Sequence, residues 1–464
     1  MRTKKIHPYF IIILTFLGVI LSGTLLLVLP VSGAHGKSIG FVDSLFMSTS
    51  AVCVTGLGTV TIATDLSLFG KIIMALLMEI GGLSILTIAI FFFTILGAKL
   101  SVSNKFLLRE ALNQSSVKGV TTLVIKIIIW AAIIQFIGVI LNMFALMPYY
   151  SGNFAKALGY SIFHSIASFN NAGFDAWGDT SMIDFSNNLM LNTSTMFLII
   201  FGGIGFIVLT DIVRKRRWKT LQLHTKLVLV TTGALIFGGA ILIKLVAWTD
   251  ITWLQAFFTS VTSRTAGFTT YDMSKLADHP AMYVIVIFLM FIGASPCSTG
   301  GGIKTTTLAV AIIATMYYAR GRKAKVFKRK IDDMQIFKAF VLIGIGVMII
   351  VVGTFIVCVA QGFAKPENQF GLMEALFEVV SAFSTTGLSM GVTAKLTIFN
   401  KLFICLIMFV GRLGPLTIIG LVNKNWMTES NEEIQYVEES VIIGWKRLSW
   451  LSDLDVLDLA LLRN

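Results

Sequence analysis

Four stretches of this chain repeat one short pattern: TSAVCVTGLGT from Thr49, IASFNNAGFDA from Ile166, SVTSRTAGFTT from Ser260 and VSAFSTTGLSM from Val380. They align on Gly56, Gly173, Gly267 and Gly387. Ten residues before each glycine stands Phe46, Phe163, Phe257 or Phe377; five before it stands a small residue, Ala51, Ser168, Thr262 or Ala382. Leu57, Phe174, Phe268 or Leu388 follows. What recurs points to backbone chemistry. A short helix that stops at mid-membrane depth and returns as extended chain leaves carbonyls with no partner inside the helix. Non-helical backbone at that depth survives only where it is buried in protein or lines a watery cavity. Four such returns around one axis give their carbonyls a shared partner, a dehydrated cation. Glycine reaches the dihedrals that point successive carbonyls one way, and the short helix directs its negative C-terminal end at the same place. The candidate ion ligands are therefore Val54, Thr55 and Gly56; Asn171, Ala172 and Gly173; Thr265, Ala266 and Gly267; and Thr385, Thr386 and Gly387. The competing reading is that each glycine only lets helices pack closely. Four in register, each in a segment too short to span, weigh against it.

The elements that must position these stretches are legible in composition. Of 464 residues, 56% are hydrophobic and 13% charged, against about 25% charged in soluble domains. Apolar runs of membrane length, ~20 residues or more, fall near 8–30, 72–98, 121–147, 189–213, 227–247, 281–318, 339–361 and 402–422. The first is too long for a signal-peptide core and lacks a cleavage site, so it reads as a retained membrane helix. The fold class is an all-α polytopic membrane protein: four fused helix–pore-loop–helix repeats around a pseudo-fourfold pore. The repeats cover 8–98, 121–213, 222–318 and 336–423, with a cytoplasmic tail at 424–464. A second glycine set, Gly81, Gly202, Gly293 and Gly411, recurs in the helix after each short segment. Basic clusters at Arg2, Lys4 and Lys5, from Arg214 and from Arg320 place those loops and both termini in the cytoplasm. They report topology rather than nucleic-acid binding. The four cysteines fall in apolar segments without metal spacing, and the five histidines are scattered, which argues against a metal centre.

The run 281–318 would extend ~57 Å as one helix, almost twice the hydrocarbon thickness. GASPCSTGGGIKTTT from Gly293 marks its break, about 294–305: Pro296 removes a donor, and Gly300, Gly301 and Gly302 favour a non-helical turn. Low local stability is where a moving part belongs; a static kink is the alternative. Lys304 lies in this segment, but Ile303 spoils the Walker spacing, so a phosphate-binding loop is rejected. Arg412 is the single charge well inside the last run, and such charges face a cavity or a partner. Glu79 stands at a comparable level, either paired with Arg412 or Lys304 or solvated at the membrane edge. Arg264 is expected to support the filter from behind, donating to carbonyls or to Asp175. In the tail, Trp445, Leu448, Leu451, Leu454 and Leu457 have helical spacing, as a docking or interfacial helix would.

With VCVTGL from Val52, FNNAGF from Phe169, SRTAGF from Ser263 and FSTTGL from Phe383, the chain resembles the Trk/Ktr/HKT superfamily of potassium transporters over about residues 8 to 423. Starting directly with the first repeat is most similar to the Ktr membrane subunit. Glycine at all four filter positions resembles the potassium-selective members. The resemblance implies K+ as substrate ion at the filter, no covalently bound cofactor, and Na+ as a candidate activator. It makes the interrupted segment with Gly300, Gly301, Gly302 and Lys304 an intramembrane gate, with Arg412 beside it. It further implies a homodimer in the lipid bilayer of a bacterial plasma membrane, seated on a cytoplasmic ring of nucleotide-binding RCK-type subunits. An alternating-access cation carrier is the rival, although carriers favour inverted or twofold repeats and broken spanning helices. An enzyme is not expected: the intramembrane Ser and Thr residues have no His partner but His164, which reads as a packing or capping residue.

Overall fold

The computed structural model describes residues 8–84, 87–88, 120–178 and 180–414, and these are mostly helical. The ends of the expected runs 72–98 and 402–422, the first basic cluster and the tail 424–464 lie outside the described residues.

Helices α1 (Pro8–Val28), α4 (Val120–Leu146), α8 (Leu223–Val246) and α12 (Asp333–Gln361) have 21, 27, 24 and 29 residues. At 1.5 Å per residue each exceeds the ~30 Å hydrocarbon core. All four are apolar enough to cross a membrane and leave most of their surface exposed. Leu14, Phe136, Phe237 and Phe355 point outward from them, as lipid-facing side chains do. They form the outer shell.

Inside it lie four short helices: α2 (Phe41–Val52), α5 (Phe154–Phe169), α9 (Trp253–Thr262) and α13 (Leu372–Ser384). Local sequence starts them firmly. Asn153 caps α5, and Thr252 with Gln255 forms a reciprocal capping box on α9. At 12, 16, 10 and 13 residues they span only ~15–24 Å. They are the re-entrant segments. Phe46, Phe163 and Phe377 are buried as the recurring phenylalanine requires, whereas Phe257 in the third repeat is half-buried.

The inner helices are α3 (Leu68–Leu83), the pair α6 (Leu189–Gly203) and α7 (Phe206–Lys215), the pair α10 (Pro280–Phe291) and α11 (Thr305–Tyr318), and α14 (Ile398–Leu413). Ser67, Asn188 and Thr397 cap three of them through side-chain oxygens. The expected break of 281–318 is present, as a non-helical loop at 292–304. A second break was not expected: 189–213 reads as one run, yet α6 and α7 meet at 93°. Gly205 makes the corner with φ +96°, and a Cβ there would stand 2.6 Å from the Pro296 carbonyl oxygen. The bend exists to seat the neighbouring loop.

The repeats are joined in a ring. Each inner helix packs on the short helix of the next repeat: α3 on α5, α6 on α9, α10 on α13 and α14 on α2. Tyr283 on α10 donates to the Met373 carbonyl at 2.7 Å. Lys401 on α14 pairs with Asp43 on α2 at 2.7 Å, joining the last repeat to the first.

The second glycine set now has a cause. A Cβ on Gly81, Gly202 or Gly411 would collide with the carbonyl oxygen of Val52, Phe169 or Phe383, each four residues before a glycine of the first set. In the third repeat Gly293 lies instead against Gly301 of the loop. Gly202→Ala should therefore destabilise the protein by about 1–3 kcal/mol through overpacking, lowering the midpoint of thermal unfolding in detergent. Gly233→Ala on α8, where a Cβ meets nothing within 4 Å, should leave that midpoint unchanged or slightly raised.

Candidate ion-conduction site

All four short helices end in the same backbone manoeuvre. The residue two before each glycine is left-handed: Val54 φ +51°, Asn171 φ +57°, Thr265 φ +78° and Thr385 φ +51°. The next residue, Thr55, Ala172, Ala266 or Thr386, is not. Then Gly56, Gly173, Gly267 and Gly387 return to φ +94°, +70°, +82° and +88°. The turn is closed by a hydrogen bond into the helix: Thr55 N–H to Ser50 C=O, Ala172 to Ala167 and Thr386 to Ser381, each 2.8 Å, and Ala266 to Thr262 at 2.9 Å. Three of these bonds skip five residues, the Schellman closure of a helix C-terminus. A residue with a Cβ costs about 1–2 kcal/mol in that conformation, and Val54, Thr265 and Thr385 are β-branched. Strain of this kind persists only where surroundings over-determine it.

The surroundings are the other three repeats. A Cβ on Gly56 would lie 2.6 Å from the Ala172 carbonyl oxygen; on Gly173, 2.8 Å from that of Ala266; on Gly267, 2.6 Å from that of Thr386. On Gly387 it would strike the Thr55 carbonyl oxygen, which closes the cycle. The four stretches thus meet as one ring, each glycine facing the preceding-position carbonyl of the next repeat. On one side of the ring opens a cavity of about 280 Å³, lined by the four glycines with Asp175, Ser389 and Thr393.

Behind the ring the repeats differ. Ser50 and Ser381 accept the Gly56 and Gly387 N–H at 3.1 and 3.0 Å. In the third repeat Thr262 donates to the Phe268 carbonyl at 2.6 Å. Asn171 and Thr265 are 3.1 Å apart; in the amide orientation that satisfies every partner, Thr265 donates to the amide oxygen while the amide nitrogen donates to Ser168 and Ile199 carbonyls. His164 sits beside Thr195 at 2.8 Å, its ring against Trp177 and Phe268. It packs, as expected. Arg264 is 7% exposed, with an Nε that finds no hydrogen-bond partner among the described residues. It lines a small cavity with Thr232, Gly203 and Ala294, whereas Asp175 lines the mouth.

The loop 292–304 lies against the other side of the ring. Gly301 N–H donates to the Thr385 hydroxyl at 3.0 Å, and Gly300 abuts the Thr265 side chain. Gly302 has φ +67°. Lys304 folds back, donating to the Gly300 and Gly301 carbonyls at 2.7 and 3.2 Å. The loop is anchored on the second repeat through Ser295 and Thr299 N–H to the Gly203 and Gly202 carbonyls, and Phe206 N–H to the Cys297 carbonyl at 2.9 Å. Arg412 then ties three repeats together. It donates to the Thr299 carbonyl in the loop and to the Gly81 and Gly82 carbonyls at the end of α3. The C-terminal carbonyls of a helix lack intrahelical partners and carry its negative dipole end, so a guanidinium suits them.

Glu79 does not pair with Arg412 or Lys304, nor is it simply solvated. Gln135 and Asn170 donate to its carboxylate, the latter at 2.6 Å. One carboxylate was missed altogether. Glu378 on α13 is fully buried and accepts from the Ser389 hydroxyl at 2.8 Å and from Thr393, bracing the segment that follows Gly387. An acid past the first turn of a re-entrant helix was the signal for it. Among the described residues no group of three or more His, Cys, Asp or Glu could hold a metal ion.

Comparison with known proteins agrees with this architecture. A family model described as "TrkH: Cation transport protein" matches residues 3–249 and 244–434. The chain is 38% identical over 452 residues to the potassium/sodium uptake protein NtpJ of Enterococcus hirae, covering 95% of this chain and 98% of that one. It is 36% identical to the Ktr system potassium uptake protein B of Vibrio alginolyticus, covering 94% of each. The crystal structure of the potassium transporter TrkH from Vibrio parahaemolyticus shares the fold, with a TM-score of 0.68 at 18% identity over 92% of this chain and 87% of that one.

The Gly301–Thr385 bond carries a test. Thr385→Val keeps the side-chain shape, and Val54 shows that valine is accepted at this position of the turn. Loss of the acceptor should cost about 1–1.5 kcal/mol. Deuterium exchange across 297–304 should then rise about tenfold. Unchanged exchange would mean that the loop is not anchored there.

Proposed function

This chain belongs to the TrkH family of cation transport proteins, and on that premise we propose that it is the pore-forming subunit of a potassium uptake system. The family is one of ion transporters, not enzymes. The observation that carries the reading is the closed cycle of glycine–carbonyl contacts with its alternating backbone. In this reading K+ sheds its water at the mouth and is received by carbonyls of residues 54–56, 171–173, 265–267 and 385–387. Replacing hydration oxygens with carbonyl oxygens is the known physical route to potassium conduction. The names of the 38% and 36% identical relatives support potassium as the transported ion, and the first of them also names sodium. Sodium serves here as an activating ion.

The loop 292–304, packed against the inner side of the ring, acts as the gate, and Arg412 is its fastener. The guanidinium closes the path by pinning the loop to α3 as well as by its charge. Opening then requires release of the Thr299 carbonyl from Arg412. A cytoplasmic ring of nucleotide-binding regulatory subunits drives that release, and the pore subunit works as a homodimer in a bacterial plasma membrane with both termini in the cytoplasm. Arg264 and Asp175 support the filter from separate sides.

Purified protein in liposomes tests the core of this. Flux should favour K+ and Rb+ over Na+ and Li+, and Gly267→Ser should erase the preference because any Cβ there meets the Thr386 carbonyl oxygen at 2.6 Å. Flux that demands a proton gradient, with no passive cation leak, would instead indicate a carrier. Arg412→Ala should raise basal K+ flux in the absence of any regulatory subunit; unchanged flux would remove Arg412 from the gate.

A further inference from the structure

We propose that Glu79 is a positioning residue for ion selectivity, setting the second filter stretch through Asn170; this rests on the filter reading above. Asn170 is the C-cap of α5 and directly precedes Asn171, the left-handed residue of that stretch. Its amide nitrogen donates in two directions, to the Ile166 carbonyl at 2.9 Å and to Glu79 Oε2 at 2.6 Å. The first bond is local. The second reaches across to α3 of the preceding repeat, so the neighbour's carboxylate sets where the turn begins.

The carboxylate is itself held. Gln135 on α4 donates to Oε1 at 3.1 Å and to Oε2 at 2.9 Å. Two side-chain amides from different helices of the second repeat therefore converge on one group. A carboxylate suits such a junction: it is acceptor-only, with about four lone-pair sites, and bonds to an ionised acceptor are shorter and stronger than neutral ones. Gly82 makes room, since a Cβ there would run into the Asn170 side chain.

The arrangement is peculiar to this junction. Two residues before the inner-helix glycine, the other repeats carry Ile200, Phe291 and Phe409; three before the filter glycine they carry Cys53, Arg264 and Ser384. Only here does a carboxylate face an amide. Glu79 also lies one helical turn or less before Gly81 and Gly82, whose carbonyls take the Arg412 guanidinium. The same helix end thus carries the gate's fastener and the filter's positioning group.

The test is the relative flux of K+ and Na+ in liposomes for Glu79→Ala, Glu79→Gln and Gln135→Leu, with Gly173→Ser as the reference. Glu79→Ala should lower the K+/Na+ ratio about tenfold, the effect of leaving a buried donor unmatched. Glu79→Gln should stay within about twofold of the parent, because the Gln135 amide can turn to accept while the retained oxygen receives Asn170. Gln135→Leu, on another helix, should fall between them and guards against a folding defect at position 79. Selectivity unchanged in Glu79→Ala while Gly173→Ser loses it would overturn this proposal alone. Glu79→Gln as impaired as Glu79→Ala would also overturn it, since charge rather than position would then be the cause. Selectivity unchanged in Gly173→Ser would bring down the filter reading itself.

Discussion

Four main chains come together at Gly56, Gly173, Gly267 and Gly387 more closely than any side chain would allow. Everything else in the protein serves that approach. The neighbouring residues accept left-handed backbone although three of the four are β-branched, a cost that isolated turns would relieve by relaxing. They cannot relax, because three of the short helices are covered by their own inner helix at a glycine and all four by the preceding repeat's inner helix from the side. Steric room for backbone is the quantity being managed. Side chains hold the frame.

The fourfold pattern is kept where backbone meets backbone and dropped elsewhere. The φ values at the ring agree across repeats to within a few tens of degrees, while the supports behind them are serine in two repeats, threonine in one and asparagine in another. The third repeat departs furthest. Its inner-helix glycine faces the loop at Gly301 instead of a short-helix carbonyl, so the place that elsewhere seals helix to helix here admits an irregular segment. That segment is itself highly bonded, through Thr385, the α6–α7 corner, Lys304 and Arg412. Its hold on the ring is thus made of polar contacts to backbone carbonyls and a hydroxyl rather than of apolar packing alone.

Much of the frame was legible from residue types because its constraints act on single positions. A backbone that tolerates no Cβ writes glycine, and a helix too long for the bilayer needs Pro296 and the glycines after it. The alignment of the four stretches and the break at 292–304 follow from such local demands. What escaped is relational. Glu79 finds Asn170 91 positions away and Gln135 56 away, and neither spacing leaves a periodic trace. Arg264 and Asp175, 89 positions apart in different repeats, line different cavities, a placement that residue type alone does not reveal. The corner at Gly205 was hidden because its cause, the Pro296 carbonyl, belongs to another repeat. The position nine before the glycine, Met47, His164, Phe258 or Glu378, is buried in every repeat, and four such different residue types left no pattern to read.

The Lys401–Asp43 contact spans 358 positions of chain, and its consequence lies in biosynthesis. Because every inner helix packs on the short helix of the next repeat, α2 gains the last of its neighbours, after α1 and α3, only when α14 is in place. The first short helix is thus completed by the last repeat, 358 positions away. Such distant closure is slow in chain-entropy terms. A nascent chain stalled before α14 would carry three of the four inter-repeat junctions and leave the ring open at α2.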